Sequence, residues 1–241
     1  MKTGAIYYSD CQLDPKIMSA CQRQILKGIK EENIVSCTLK PVNFGQNIVL
    51  PLRRGYLTYF KQILTALEAS DSDIIRFLEH DVLYHSSHFE FTPAKKDVYY
   101  YNTNFWRLRI DDGHAVSYET DQVNMICAYR ELLVQNYRER VRRCEEYLDS
   151  NSRVGEGKSF SSFVRKMGFE PGTHNREERV DMNKADRWQS AYPNIDIRHG
   201  HNLTASRWSQ DQFRSQRNCQ GWKETTADKI IGWDSSMLAF R

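Results

Sequence analysis

The chain has 241 residues, of which 40% are hydrophobic and 27% charged, with a formal net charge of +3. This is enough apolar material to bury a sizeable core, so one globular domain over 1–241 is expected. No apolar run approaches the roughly 18 to 20 residues that span a bilayer, and the start MKTGAIYYSD lacks a signal peptide's apolar core, so a soluble, cytoplasmic protein is expected.

The first third alternates apolar runs with helical patterns. GAIYY reads as a strand, and LDPKIMSACQRQIL as a helix with Asp14 as N-cap and Pro15 in its first turn, Ile17, Cys21 and Ile25 forming its apolar stripe. NIVSCTL is a second strand. GYLTYFKQILTALEAS is a helix with Leu57, Phe60, Ile63 and Leu67 inward, and DIIRFL a third strand ending at Glu79. This β-α-β-α-β order predicts an α/β fold: a mostly parallel sheet flanked by helices, with ligands at the carboxyl ends of the strands. DVYYYNTNFWRLRI and HAVSYE read as further strands, followed by a long helix from about Asp121 to Arg143 that includes Val123, Ile126, Cys127, Leu132 and Leu133. Residues from about 149 to 186 are polar and charged, with one helix, SFSSFVRKMG, ending at Gly168. PNIDIRHGHN is a short strand and SQDQFRSQR a short helix.

The six cysteines (11, 21, 37, 127, 144 and 219) form no CxxC pair, so reduced thiols are expected. Charge is uneven: residues 1–137 carry a net −1, whereas 138–241 carry +4 and four of the five tryptophans. Such a half could face an anionic partner.

The stretch FLEHDVL places Glu79, His80 and Asp81 directly behind an apolar strand, where unpaired polar groups would be costly. Carboxylates at i and i+2 leave a strand on one side and can reach a hard divalent cation, Mn²⁺ or Mg²⁺, which fills its remaining positions with water and substrate phosphates. Solvated acids at a strand end are the plain alternative. Downstream, alternation in DIRHGHN sets Ile195, Ile197 and His199 on one face, so His199 could complete the metal shell, with His201 in reserve and a core histidine as the alternative.

The order of YYSD after a leading strand, RRGYLTYFKQILTALE, IIRFLEHDVLY, YETDQ and a late His resembles the GT-A nucleotide-sugar glycosyltransferases over most of the chain except about 149–186. The resemblance implies a GT-A-like domain with a donor-nucleotide half at 1–110, an acceptor half at 111–241 and a variable insertion. It implies that Asp81 and Glu79 hold Mn²⁺ or Mg²⁺ on the diphosphate of a nucleoside-diphosphate sugar, with His199 as a further ligand. Glu79 departs from the family's first Asp, which makes Asp81 the safer ligand. An acid at a helix start, Asp121 or Glu119, would take the acceptor hydroxyl proton. Thr120 or Asp121 would equally serve as that helix's N-cap. Tyr8 and Asp10 fall where the nucleobase and ribose are held. Arg53 and Arg54 suit the diphosphate, since guanidinium forks match phosphate oxygens. Asn102, Asn104 and Trp106 would line the sugar and acceptor pocket.

The acceptor stays open between a glycan, a lipid-linked or small molecule, and hydroxymethylated bases of viral DNA, for which the Arg- and Trp-bearing second half suits phosphate contact and stacking, with Trp188 and Trp208 as platforms. A nucleotidyltransferase is the rival enzyme, although YYSDCQLDP lacks that class's glycine-rich phosphate loop. A metal hydrolase on His80, His85, His88 and Asp81 lacks the helical i, i+4 zinc spacing. A nucleic-acid binding module without catalysis is the third class.

Overall fold

Period-two burial builds the centre of the molecule. In the computed structural model, which describes residues 1–151, 155–173, 184–202, 205–234 and 238, strand β1 (Thr3–Ser9) sends Ile6 and Tyr8 into one apolar cluster and Ala5 and Tyr7 into another. A strand buried on both faces needs parallel neighbours covered by helices. β1 pairs in parallel with β2 (Ile34–Thr38) on one side and with β4 (Ile74–Glu79) on the other, and β2 pairs in parallel with β3 (Gln46–Val49). β3 was not anticipated, because an edge strand with exposed ends shows no apolar pattern.

Helix α1 (Pro15–Ile25) starts as expected: the Asp14 carboxylate accepts from the Lys16 backbone N–H at 2.7 Å, and Ile17, Cys21 and Ile25 are buried. α2 (Tyr56–Ala69) buries Phe60, Ile63 and Leu67 against β1 and β2 and packs on α3 (Arg130–Ser150). α4 (Lys158–Met167) ends at Gly168, whose φ of +82° is open to glycine and costly for other residues.

The helix expected over 121–143 begins only at Arg130. Ile126–Tyr129 is a strand, β9, antiparallel to β4 and to β6 (Tyr99–Asn102). A continuous apolar run has no period that separates a buried strand from a buried helix. Here β4 and β6 leave backbone groups open on both sides of MICAY, and satisfying them decides for strand. With β10 (Ala185–Trp188), the sheet runs β10-β6-β9-β4-β1-β2-β3, four of its six pairings parallel.

A second sheet grows from the first. Just after β4, the turn at His80–Asp81 leads into β5 (Val82–Leu83), and after β6 the chain passes at Thr103–Asn104 into β7 (Phe105–Arg109). With β8 (His114–Ser117), β11 (Asn194–Arg198) and β12 (Lys223–Thr226), the order is β12-β8-β7-β11-β5. One face of this sheet buries Leu83, Leu108, Ile195 and Ile197 against Ile17 and Cys21 of α1. SQDQFRSQR forms no α-helix: it holds a 3₁₀ turn at Gln210–Gln212, and a second begins at Gln216 and runs to Cys219. The molecule is thus a mixed α/β fold with a mostly parallel central sheet flanked by helices. All six cysteines are free thiols. No helix among the described residues is long and apolar enough to cross a membrane.

Candidate metal centre at the junction of the two sheets

The carboxyl end of β4 feeds a turn, and that turn carries the chemistry. Because β4 ends at Glu79, the i, i+2 alternation stops there, and Asp81 lies in the turn beyond the strand. Glu79 Oε2 accepts from Asn124 Nδ2 at 3.0 Å. Burial, and then the charge of Asp81, pushes the Glu79 carboxyl well above the ordinary carboxylate range, so the protein favours Glu79 as a neutral acid. Burial also raises Asp81, but the hydrogen bond from His199 and the charges of His80, His199 and Arg198 outweigh it and hold Asp81 below its ordinary value. One acid is arranged to stay ionised and its neighbour is not.

Asp81 is 4% exposed. Its Oδ2 lies 3.2 Å from His199 Nε2 and accepts from Asn202 Nδ2 at 2.8 Å. Its Oδ1 is buried with no hydrogen-bond partner, as is His80 Nδ1. One ligand atom each from His80, Asp81 and His199 lies within 4.8 Å of the others. A carboxylate with an unshared buried oxygen between two imidazoles fits a divalent cation. Nitrogen donors suit Mn²⁺ better than Mg²⁺, which prefers oxygen ligands and water. The structure therefore brings Asp81, His199 and His80 together, and Glu79 is not part of this group. The signal for His80 was adjacency to Asp81 at a turn, which strand alternation masks.

His199 is placed by a turn rather than by strand alternation, since β11 ends at Arg198. The Asn202 side chain accepts from the His199 backbone N–H at 2.7 Å while donating to Asp81, so one residue fixes both. His201 is exposed, and its backbone N–H donates to His199 Nδ1 at 3.2 Å. Arg54 Nε pairs with Asp10 Oδ2 at 2.6 Å and Arg54 Nη2 donates to the His201 carbonyl, so the loop after β1, the basic turn and the histidine loop meet here. Arg53 is exposed, its carbonyl accepting from Thr58.

Other anticipated residues have engagements of their own. Tyr8 is buried with its ring edge-on to Tyr59 and Phe77. Asp121 stands in an extended stretch rather than at a helix start, and both its oxygens are taken by Arg187, at 2.8 and 3.2 Å. Glu119 is exposed. Trp106 packs on the Leu83–Ile195 cluster, and Asn104 Nδ2 donates to the Ser190 carbonyl.

Asn102 is fully buried beside His88. The amides of Asn102 and Asn194 aim Nδ2 at His88 Nδ1, at 3.0 and 3.1 Å. Their oxygens are taken by backbone N–H groups of Asn104, Ser190 and His85, which fixes the amide orientation. Two donors facing one ring nitrogen require that nitrogen to be unprotonated. Burial, with a smaller contribution from Arg76, accordingly lowers the His88 pKa from 6.5 to about 3. A histidine kept neutral in the fold contributes stability above its unfolded pKa, and that stability is lost as pH falls towards the folded value. Unfolding free energy should therefore drop by up to about 1.4 kcal/mol per pH unit below 6.5 from this residue. Urea unfolding at a series of pH values checks this. His88→Gln should flatten the acid limb, and an unchanged slope would refute the assignment.

Three arginines on α3 have partners within the chain. Arg138 pairs with Glu68, Arg142 with Glu139 and Glu146, and Arg140 lies buried with its Nε on Asn136. Trp188 stacks on Phe91 at 4.4 Å, and the Trp208 ring lies under Arg109.

Missed by the sequence reading was the other buried acid of the junction, Asp196. It is 1% exposed, its Oδ2 3.2 Å from Gln122 Nε2 and 3.5 Å from Arg198 Nη1. Burial raises its pKa, with Arg198 opposing. Asp196 lies between Ile195 and Ile197 on β11, on the opposite face of a sheet that is covered on that side too.

No family model matches the chain, and no curated protein matches it. Among solved structures, it is similar to mannose-1-phosphate geranyltransferase from Thermus thermophilus, with a TM-score of 0.39 and 8% identity over 82% of this chain and 74% of that one. It is similar also to a cytidylyltransferase from Leptospira borgpetersenii, with a TM-score of 0.37 and 16% identity over 65% and 74% of the two chains. The apo-form glycosyltransferase GlyE of Streptococcus pneumoniae gives a TM-score of 0.36 and 10% identity over 70% of this chain and 44% of that one. What the chain does has to be read from its own side chains.

Proposed function

We propose that this protein is a metal-dependent transferase that takes a nucleoside-diphosphate sugar as donor and moves the sugar to an acceptor hydroxyl. The observation that carries this is the buried, ionised Asp81 with an unshared oxygen, flanked by His80 and His199, at the carboxyl end of a parallel strand. In that role Asp81, His80 and His199 hold the cation and Asn202 orients the carboxylate. Arg54, already at the loop that carries His201, faces the donor's phosphates. The cation, when bound, supplies Lewis-acid stabilisation of the charge on the departing nucleotide.

Asp121 is our candidate for the group that takes the acceptor proton, with Arg187 setting its orientation. Asp121→Asn should then lower kcat by about 10²- to 10⁴-fold with KM little changed, the range typical of general-base loss. Steady-state kinetics on the identified donor would check this, and an unaltered kcat would remove Asp121 from the reaction.

The test of the reading is a screen of nucleoside-diphosphate sugars with Mn²⁺, followed by product analysis. Release of the nucleoside diphosphate, dependent on metal and on an added acceptor, supports glycosyl transfer. Formation of pyrophosphate from a nucleoside triphosphate and a sugar phosphate would assign nucleotidyl transfer instead. Absence of any Mn²⁺-dependent nucleotide binding would refute both.

A further inference from the structure

The face of the second sheet turned away from α1 carries an unusual charge. Arg107, at the middle of β7, is 4% exposed, and its Nη1 is buried with no hydrogen-bond partner. Its guanidinium carbon lies 3.8 Å from the centroid of the Tyr118 ring and 4.7 Å from that of Phe105. Trp222 in turn stacks on Tyr118 at 5.5 Å. Rings against its plane leave a guanidinium only its N–H edge for ligands, and that edge matches the paired oxygens of a carboxylate or a phosphate. Burial lowers the Arg107 pKa from its ordinary value, as it must for a cation short of acceptors.

The nearest acid does not resolve this. Asp196 is the register partner of Arg107 on β11, but its Oδ2 is engaged by Gln122 and Arg198. That carboxylate is therefore committed to groups other than Arg107, and Arg198 is held in addition by Ser206 Oγ, which accepts from its Nε at 3.1 Å. Among the buried side-chain atoms without a hydrogen-bond partner, Arg107 Nη1 is a donor held at the middle of this sheet.

Strand order gives the spacing. Asp196 is in register with Arg107 on one side and with Val82, the residue after Asp81, on the other. Two strand spacings put β7 about 9 to 10 Å from β5. That is farther than one metal-bound phosphate extends.

We propose that Arg107 forms a subsite for a second oxyanion of the substrate, a carboxylate or phosphate-ester group separate from the one served by His80, Asp81 and His199. That this oxyanion belongs to the acceptor or to the transferred unit rests on the transferase reading above. The anion site itself does not.

The experiment is thermal unfolding of the full chain in EDTA, with potassium phosphate, potassium acetate or potassium chloride at matched ionic strength. Phosphate, acetate or both should raise Tm over chloride, by about 3 to 5 °C at tenfold excess over the dissociation constant. A response to phosphate alone identifies a phosphate ester, and a response to acetate identifies a carboxylate. Arg107→Met should abolish the shift. If that variant fails to fold by circular dichroism, Arg107→Lys, which keeps the charge but loses the planar fork, should weaken anion affinity about tenfold. Asp81→Asn should retain the shift. No shift over chloride, or a full shift in both Arg107 variants, would overturn the proposal. So would loss of the shift in wild type saturated with Mn²⁺ and a nucleoside diphosphate, since the oxyanion would then be the donor's own. If Mn²⁺ and nucleotide give no shift while phosphate does in EDTA, the donor reading fails and the anion site stands.

Discussion

Asp81→Asn is expected to abolish Mn²⁺-dependent nucleotide binding and turnover while leaving the fold in place. The substitution keeps the shape of the side chain and a carbonyl oxygen that can accept from Asn202, so the turn between β4 and β5 retains one of its ties. What it removes is the negative charge and the oxygen that no protein group shares. Loss of a mere supporting partner around a metal costs about 10- to 100-fold in affinity, and removal of the only ionised carboxylate of the cluster should exceed that. Titration calorimetry with Mn²⁺, with and without nucleoside diphosphate, reads the effect directly. Stability in EDTA should fall modestly near neutral pH. The sign follows from the lowered pKa of Asp81: the charged form is favoured in the fold, so its contribution is present above the ordinary carboxylate value and lost as pH falls through the depressed one. Wild-type metal affinity and turnover in this variant would place the chemistry elsewhere.

His199→Ala should be nearly as damaging to metal binding, and it carries a signature that a core histidine would not. Imidazole ligates only when neutral, so protons compete with the metal, and wild-type Mn²⁺ affinity should weaken as pH is lowered. His199→Ala should lose at least about 100-fold in affinity and show a shallower pH dependence, His80 remaining as the second nitrogen ligand. Mn²⁺ electron paramagnetic resonance, in which the free ion's signal diminishes on binding, follows both quantities without an assay. The variant also releases the hydrogen bond to Asp81 Oδ2, so a small loss of stability in EDTA is expected alongside. Unchanged Mn²⁺ affinity with a large loss of stability would make His199 a structural residue.

The first half of the fold was legible because its signals are local. Asp14 and Pro15 start α1 by hydrogen bonding and a preset φ, and Phe60, Ile63 and Leu67 recur at the helical period, none of which needs knowledge of the rest of the chain. The placement of Asp81 behind an apolar strand was equally local. MICAY was not legible, because its strand state depends on β4 and β6 lying on either side of it, and no residue within the run reports that. The partners of Asp81 were decided in the same way. Alternation pointed to Glu79, but the strand stops one residue too soon. The imidazole of His199, 118 positions away, arrives through the antiparallel pairing of β5 with β11 and the turn that Asn202 closes. The burial of Arg107 and Asp196 was not legible either, since period two tells which residues share a face but not whether a second layer covers it. Residue type and spacing thus determined by themselves which groups could do chemistry, while long-range strand pairing, which sequence spacing does not encode, decided which of them meet and which are withdrawn from water.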